Sequence, residues 1–275
     1  MRSGLNLPRS DAETVDTSLM LLREAAFNLT IDPAAVDRER GVVLAEHGRL
    51  LADIPAFTYP EAARRTMNMK RALTARDFDV VAPQGRNQVD VRVIGVIENQ
   101  APTKALQKTL KVESGLVEMD RAGDVCQIAL VERHKATGKV VNAFVSGFGY
   151  TKDCALASTV AHDSHHMIVV GTNKEDMAQA ANILKDIGGG LVLVSEGREL
   201  ARVEMPIAGL MSDQRAEVVA EKAGKLVAAM KACGCNLNNA NMQHSLLALV
   251  VIPELRISDE GLIDVTTFRK VDLFL

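Results

Sequence analysis

Short apolar runs and helix-period stripes alternate along most of this sequence. Val89, Val91 and Val93 alternate with polar residues, which is typical of a half-buried strand. Short β-branched runs predict further strands at residues 125–131, 140–145, 167–170 and 191–194. Between the last two runs, residues 174–187 carry apolar side chains on one helical face and stop at three glycines, 188–190. A helix with a left-handed glycine cap is therefore predicted there.

A longer helical stripe follows at residues 212–232. Ser212 and Asp213 stand at its start, where their side chains can cap a helix. Its inward face is predicted to carry Val218, Val219, Ala223, Leu226, Val227 and Met230. Strands and helices are thus interleaved, which predicts an α/β (mixed α+β) fold with an antiparallel or mixed sheet flanked by helices.

The first 55 residues have a different pattern and predict a short helical appendage. Ser10 and Asp11 can cap one helix, and Asp32 and Pro33 can begin a second. Four turn-forming residues (Pro55, Pro60, Pro83 and Gly85) then mark a junction. We predict three parts: residues 1–55, a junction at 56–86, and a domain at 87–275.

Composition narrows the classes of function. Hydrophobic residues make up 47% and charged residues 24% of the 275, which is ordinary for a globular protein. The net charge of −3 gives no basic field for a phosphate backbone, so no nucleic-acid partner is expected. No run of about 18 apolar residues occurs, so we expect no membrane partner. Four scattered cysteines indicate a reducing compartment, and a cytoplasmic protein is expected.

Three of the six histidines fall within five residues, at 162, 165 and 166. Histidine is a frequent metal ligand and titrates near neutral pH, so this cluster could bind a cation or move protons. A hydrogen-bonded polar turn is the alternative, and the residues alone leave both open.

Residues 39–46 place Glu39 and Glu46 seven apart, on one helical face. With the neighbouring helix, this block resembles part of a pitrilysin or insulinase type of zinc peptidase, in which the glutamate matching Glu46 completes the zinc site and the one matching Glu39 supports it. That family also uses an H-x-x-E-H helix, which this sequence lacks. Peptidase activity is therefore not expected.

The remainder of the chain carries many strings that agree in order with another family. They lie at residues 87–98, 131–134, 147–149, 158–165, 170–173, 188–190, 206–213, 251–255 and 271–274. Over residues 57–275 the sequence resembles the carboxy-terminal domain of bacterial adenine deaminases, in the amidohydrolase superfamily.

This resemblance implies hydrolysis of adenine to hypoxanthine and ammonia in purine salvage, with manganese or iron supplying the attacking hydroxide. In such enzymes an H-x-H and other metal ligands belong to a barrel that precedes this domain. The sequence contains no H-x-H. We therefore expect the catalytic barrel and a complete metal site to be absent, and a truncated or fused chain that is inactive alone.

Candidate site residues follow from the resemblance and the histidine cluster. His162, Asp163 and His165 are expected at the mouth of the active site of a complete enzyme, as catalytic candidates. The alternative is a loop that only seals a domain interface. Ser164, Ser212 and Asp213 are candidate substrate contacts, although a helix cap is favoured for the last two. No metal ligand is assigned.

Two hypotheses remain open. The chain takes part in adenine deamination once a barrel complements it, with adenine as its small-molecule partner, or it is a noncatalytic α/β binding or remnant module. Homo-oligomers are expected because an appendage without its own sheet exposes apolar surface.

Overall fold

The computed structural model describes residues 58–275, and one compact unit runs over Tyr59–Leu275. Its helices are α1 (Glu61–Arg64), α2 (Lys174–Ile187), α3 (Ala216–Ala232) and α4 (Ala240–Leu246), with a 3-10 turn at Ala75–Phe78. The strands are β1 (Gln88–Val96), β2 (Thr103–Glu113), β3 (Leu116–Val117), β4 (Val125–Val131), β5 (Val140–Ser146), β6 (Cys154–Ser158), β7 (Met167–Gly171), β8 (Gly190–Ser195), β9 (Arg198–Glu204), β10 (Leu255–Ser258), β11 (Gly261–Asp264) and β12 (Arg269–Val271). The helical pattern of residues 1–55 and the Glu39 and Glu46 pair lie outside the described residues.

Nine strands form one mixed sheet in the order β3-β2-β1-β5-β4-β7-β6-β8-β9. β1 pairs with β5 in parallel, and the other neighbours are antiparallel. Strands β10, β11 and β12 form a second, antiparallel sheet. The predicted mixed sheet flanked by helices is confirmed, and no closed barrel occurs among residues 58–275.

The large sheet is covered on both faces, which explains why its central strands are apolar throughout. All seven residues of β4 are buried. Ile128 and Leu130 belong to the core cluster that includes Leu226 of α3, whereas Ala129 and Val131 belong to the cluster that contains helix α2. Because successive side chains point to opposite faces, a strand between two layers loses the apolar-polar alternation of a half-exposed strand.

Helix α2 has the bounds that the sequence predicts. Asn173 Oδ1 accepts a hydrogen bond from Asp176 N at 2.7 Å, which satisfies a backbone donor at the helix start. The helix ends at Gly188, which has a φ of 84° and forms the predicted left-handed cap. Gly190 then enters β8 so close to β9 that a Cβ atom there would lie 1.9 Å from Val203 O.

Helix α3 begins four residues later than predicted, and the predicted cap by Ser212 and Asp213 is wrong. Arg215 precedes the helix without a side-chain capping bond. Asp213 instead accepts a hydrogen bond from Arg64 Nη2 at 2.8 Å. This ion pair holds the preceding segment in a turn, so the helical stripe starts only at Ala216.

The predicted inward face of α3 is also too wide. Leu226 and Met230 are buried, whereas Val218 and Val227 are 39% and 38% exposed. The helix covers the edge strand β9 and its neighbour β8 and buries one narrow stripe. No helix among residues 58–275 has the length and apolar character needed to cross a membrane.

Candidate functional site

The histidine cluster lies in the loop that joins β6 to β7, at the ends of two fully buried strands. His162 and His165 are half-buried, and Asp163 and Ser164 are exposed. The rings of His162 and His165 meet edge to face with centroids 5.9 Å apart. His162 N donates to Ser245 O at 3.0 Å, which fixes this end of the loop against α4. The structure therefore brings all four predicted loop residues together.

Arg133 holds the other end of the loop. Its Nε donates to His165 O at 2.7 Å, Nη1 to Thr66 O at 3.0 Å and Nη2 to Ala208 O at 3.1 Å. The side chain is 1% exposed, and burial lowers its pKa to about 10. The guanidinium remains protonated at neutral pH and places one positive charge beneath the histidine loop.

Glu132 orders the turn beside Arg133. Its carboxylate accepts hydrogen bonds from the backbone of His134, Lys135 and Thr137 and from the Thr137 hydroxyl. Burial raises the pKa of this carboxyl, but the hydrogen bonds outweigh burial and lower the pKa to about 2. Glu132 is therefore an ionised structural group at neutral pH.

His134 lies against the loop and contacts His166, the last loop residue. His134 Nε2 is 2.8 Å from Ser164 O, and since a carbonyl only accepts, this nitrogen carries the proton. The His134 and His166 rings lie 4.6 Å apart, and His166 Nε2 is 3.8 Å from Asp259 Oδ2. Burial and then the charge of His134 lower the pKa of His166.

His165 also has a lowered pKa. Burial is the larger cause and the nearby His162 the second, whereas Asp163 opposes them. His165 is therefore neutral near pH 7, so its imidazole can accept a proton from a group that approaches the loop.

Ser212 and Asp213 do not join this cluster by hydrogen bonds. Ser212 Oγ accepts from Gln214 N at 3.3 Å, and Asp213 pairs with Arg64. Their segment reaches the site through Ala208, whose carbonyl accepts from Arg133, and through Gly209, whose carbonyl accepts from the Thr159 hydroxyl.

Metal binding needs a group of ligands at close range. Among residues 58–275 no group of three or more His, Cys, Asp or Glu side chains is placed to hold an ion. These residues therefore do not fit the manganese or iron that the resemblance implies, and we derive no step through a metal from them.

Comparison with known proteins identifies the family. The family model of the adenine deaminase C-terminal domain matches residues 100–269. This chain belongs to the adenine deaminase C-terminal domain family. It is 68% identical over 248 residues to "Adenine deaminase 3" of Rhizobium meliloti (strain 1021), a match that covers 90% of this chain and 42% of that protein.

Two other relatives extend the comparison. The adenine deaminase of Ruegeria pomeroyi (strain ATCC 700808 / DSM 15171 / DSS-3) is 63% identical over 98% of this chain and 43% of its own length. That of Moorella thermoacetica (strain ATCC 39073 / JCM 9320) is 43% identical over 93% of this chain and 42% of its own length. The chain thus spans less than half the length of the curated relatives it matches.

These matches correct the interpretation of the first block. A match over 98% of the chain necessarily includes most of residues 1–55. That block therefore aligns with an adenine deaminase, and its resemblance to a zinc peptidase is not supported. The seven-residue spacing of Glu39 and Glu46 does not distinguish a zinc peptidase, because solvated acids on amphipathic helices share it.

Arg133 is the residue that sequence reasoning missed. It stands in one of the strings that carry the family resemblance, two residues after the end of an apolar strand. Two charged residues, Glu132 and Arg133, at the end of such a strand were the available signal, because arginine is almost never buried without partners.

Proposed function

We propose that this chain supplies the C-terminal domain of an adenine deaminase, which hydrolyses adenine to hypoxanthine and ammonia in purine salvage. The observation that carries the proposal is the identity of 68% and 63% to two proteins named adenine deaminase. The reaction consumes one water for each adenine and releases the exocyclic amine as ammonia. If manganese or iron binds, it would lower the pKa of a water and supply the nucleophile; we assign none of residues 58–275 as its ligand.

The histidine loop is the part of this domain that serves the reaction. His162, Asp163 and His165 stand at the mouth of the active site, where the neutral His165 ring accepts a proton from the attacking water and returns it to the leaving amine, and the exposed Asp163 and Ser164 contact the base. Arg133 acts as a positioning residue, because it holds the His165 carbonyl and not the substrate. Ser212 and Asp213 are proposed as secondary substrate contacts.

A chimera tests the proposal. The matching 248 residues of the Rhizobium meliloti relative are replaced by those of this chain, and ammonia release from adenine is followed with manganese present. We expect activity within about tenfold of the parent relative, since a tenfold change corresponds to 1.4 kcal/mol of transition-state energy. The 275-residue chain is assayed alongside and is expected to release no ammonia.

Variants of the chimera test whether the histidine loop takes part in the reaction. His165→Gln should lower kcat by about 10²-fold, the lower end for loss of a general acid or base. His134→Gln is the matched control, because His134 contacts the loop through the Ser164 backbone carbonyl and the His166 ring, neither of which is given a role in the reaction. A stable chimera without activity would favour the second hypothesis, a noncatalytic α/β binding module.

We also propose a cytoplasmic, homo-oligomeric protein. The four cysteines are free and buried, as in proteins of a reducing compartment. Val218, Val227 and Met242 expose apolar surface on α3 and α4 that a second copy can cover. Light scattering on the purified chain measures the oligomeric state, and a monomer at all concentrations contradicts this part.

A further inference from the structure

A cavity of about 270 Å³ lies between the large sheet and helices α3 and α4, beside the histidine loop. Leu191 and Val203 of β8 and β9 and Leu226 of α3 form its buried apolar wall. Pockets for drug-sized ligands span about 300 to 1,000 Å³. This cavity is slightly smaller, so it suits a molecule of one or two fused rings.

The lining excludes a charged ligand. Every described residue that lines the cavity is apolar or is a serine, an asparagine or a histidine, and none is Asp, Glu, Lys or Arg. An ion that entered would lose its hydration without gaining an opposite charge. Met205 and Met242 also line the cavity, and thioether sulfurs make favourable contacts with aromatic rings. The lining therefore favours an uncharged aromatic molecule.

Three polar side chains at the cavity are available for hydrogen bonds to a ligand. Those of His162, Asn239 and Asn241 make no hydrogen bond within residues 58–275. Asn239 directly precedes α4, yet it makes no capping bond. Each amide carries a donor and an acceptor, and rotation about the last torsion presents either one. These side chains can therefore pair with the edge of a ring that carries both N–H donors and unprotonated nitrogen acceptors.

We propose that this cavity is a binding site for an uncharged aromatic heterocycle of the size and hydrogen-bonding pattern of a free nucleobase. The cavity chemistry gives the ligand class, and the choice of adenine or hypoxanthine within it rests on the proposed function. Because His162 belongs both to the cavity and to the histidine loop, a bound base contacts that loop directly. The site binds the base and carries out no chemistry.

Calorimetric titration of the purified 275-residue chain with adenine and with hypoxanthine tests the site. We expect one base to bind for each chain. Ala223→Leu adds three carbons to the half-buried face of α3 that lines the cavity and should weaken binding at least about tenfold. Ala220→Leu makes the same change on the exposed side of that helix and should bind as the wild type does. Benzoate, an aromatic anion, should not bind.

Several outcomes decide the proposal. It is overturned if neither base binds the wild-type chain, or if Ala223→Leu and Ala220→Leu bind a base equally well. Should circular dichroism show that Ala223→Leu does not fold, Asn241→Leu takes its place, since it removes the amide donor and acceptor and keeps the number and branching of the side-chain heavy atoms. The titration needs no turnover, so a chain that binds no base while the chimera is active refutes the site and leaves the proposed function standing.

Discussion

The guanidinium of Arg133 joins three segments of chain that are far apart in sequence. Its acceptors, Thr66, His165 and Ala208, lie 67, 32 and 75 residues away. Arg133→Lys keeps the charge but replaces a planar fork of donors by a single ammonium, so at least one buried carbonyl loses its donor. We expect the free energy of unfolding to fall by about 2 to 4 kcal/mol in urea titrations.

Arg121→Lys is the matched control for this change. Arg121 forms an ion pair with Asp153 on the surface, where its side chain is 45% exposed. Exposed pairs contribute about 0 to 1 kcal/mol, so this variant should unfold close to the wild type. Equal effects of the two substitutions would show that the Arg133 contacts add nothing beyond those of a surface pair.

Glu132 should give the stability of the protein an acid dependence. Its pKa in the folded chain is about 2, against an ordinary value of 4.5. Between these values the unfolded chain binds more protons, so the free energy of unfolding contributed by Glu132 is present above about pH 4.5 and is lost as pH falls toward 2. Glu132→Gln should be less stable at pH 7 and should lose less stability over that interval.

Glu113→Gln, at the end of β2, is the matched control for Glu132→Gln. Glu113 is exposed, and its side chain makes no hydrogen bond to any of residues 58–275. Urea titrations at several pH values should give the same acid profile for this variant as for the wild type. A Glu132→Gln profile parallel to the wild type would contradict the assignment of the acid dependence to Glu132.

The candidate site shows which of its parts a sequence can reveal. Three histidines in five residues are visible without a structure, and they precede the strand predicted at 167–170, whereas β6, the strand before them, was not predicted. Their support is not visible, because Arg133 acts through acceptors that only the fold brings near. The same holds for Asp213, which sequence spacing favours as a cap and the structure pairs with Arg64.

Secondary structure was predictable where local pattern and burial agree. Strand β4 and helix α2 have the predicted bounds because apolar runs and a glycine cap are local signals. Strand β2 was missed, since most of its residues are exposed and its lysines look like a solvated surface. It is a strand because all of β1 pairs with residues 103–111 of β2. This pairing is a contact between strands, which local sequence pattern does not show.

Gly190, in the turn from α2 into β8, allows a test of how closely the backbones of β8 and β9 approach each other. At Gly190, with a φ of 132°, a Cβ atom would lie 1.9 Å from Val203 O and 3.0 Å from Met205 N. These are backbone atoms of the neighbouring strand and cannot move aside cheaply. We expect Gly190→Ala to lower the free energy of unfolding by at least about 3 kcal/mol.

Gly197→Ala is the control that separates the cost of backbone strain from the cost of the steric clash. Gly197 also has a positive φ, of 73°, but a Cβ atom there meets nothing within 4 Å. Gly197→Ala should therefore cost only about 1 kcal/mol, the penalty of a left-handed residue. If the two alanine variants lose similar stability, conformation alone explains Gly190 and the contact with β9 is unimportant.

The extent of the folding unit can be tested by truncation. The sequence predicts a domain at 87–275 after a junction, whereas the compact unit runs over Tyr59–Leu275. Phe78 is 0% exposed and Leu73 is 6% exposed, and both belong to the cluster that packs on α2. Thr66 in addition accepts from Arg133. Residues before β1 therefore complete the core of the sheet.

We accordingly expect a chain of residues 59–275 to unfold in a single cooperative urea transition, and a chain of residues 87–275 to lose cooperativity. The shorter chain exposes the face of the sheet that Phe78 and Leu73 cover, and removing one large buried side chain alone costs about 3 to 5 kcal/mol. That is a large part of the 5 to 15 kcal/mol that stabilises most domains. Cooperative unfolding of residues 87–275 with unchanged stability would restore the boundary that the sequence predicts. It would also mean that the contacts of Phe78, Leu73 and Thr66 are dispensable for the sheet.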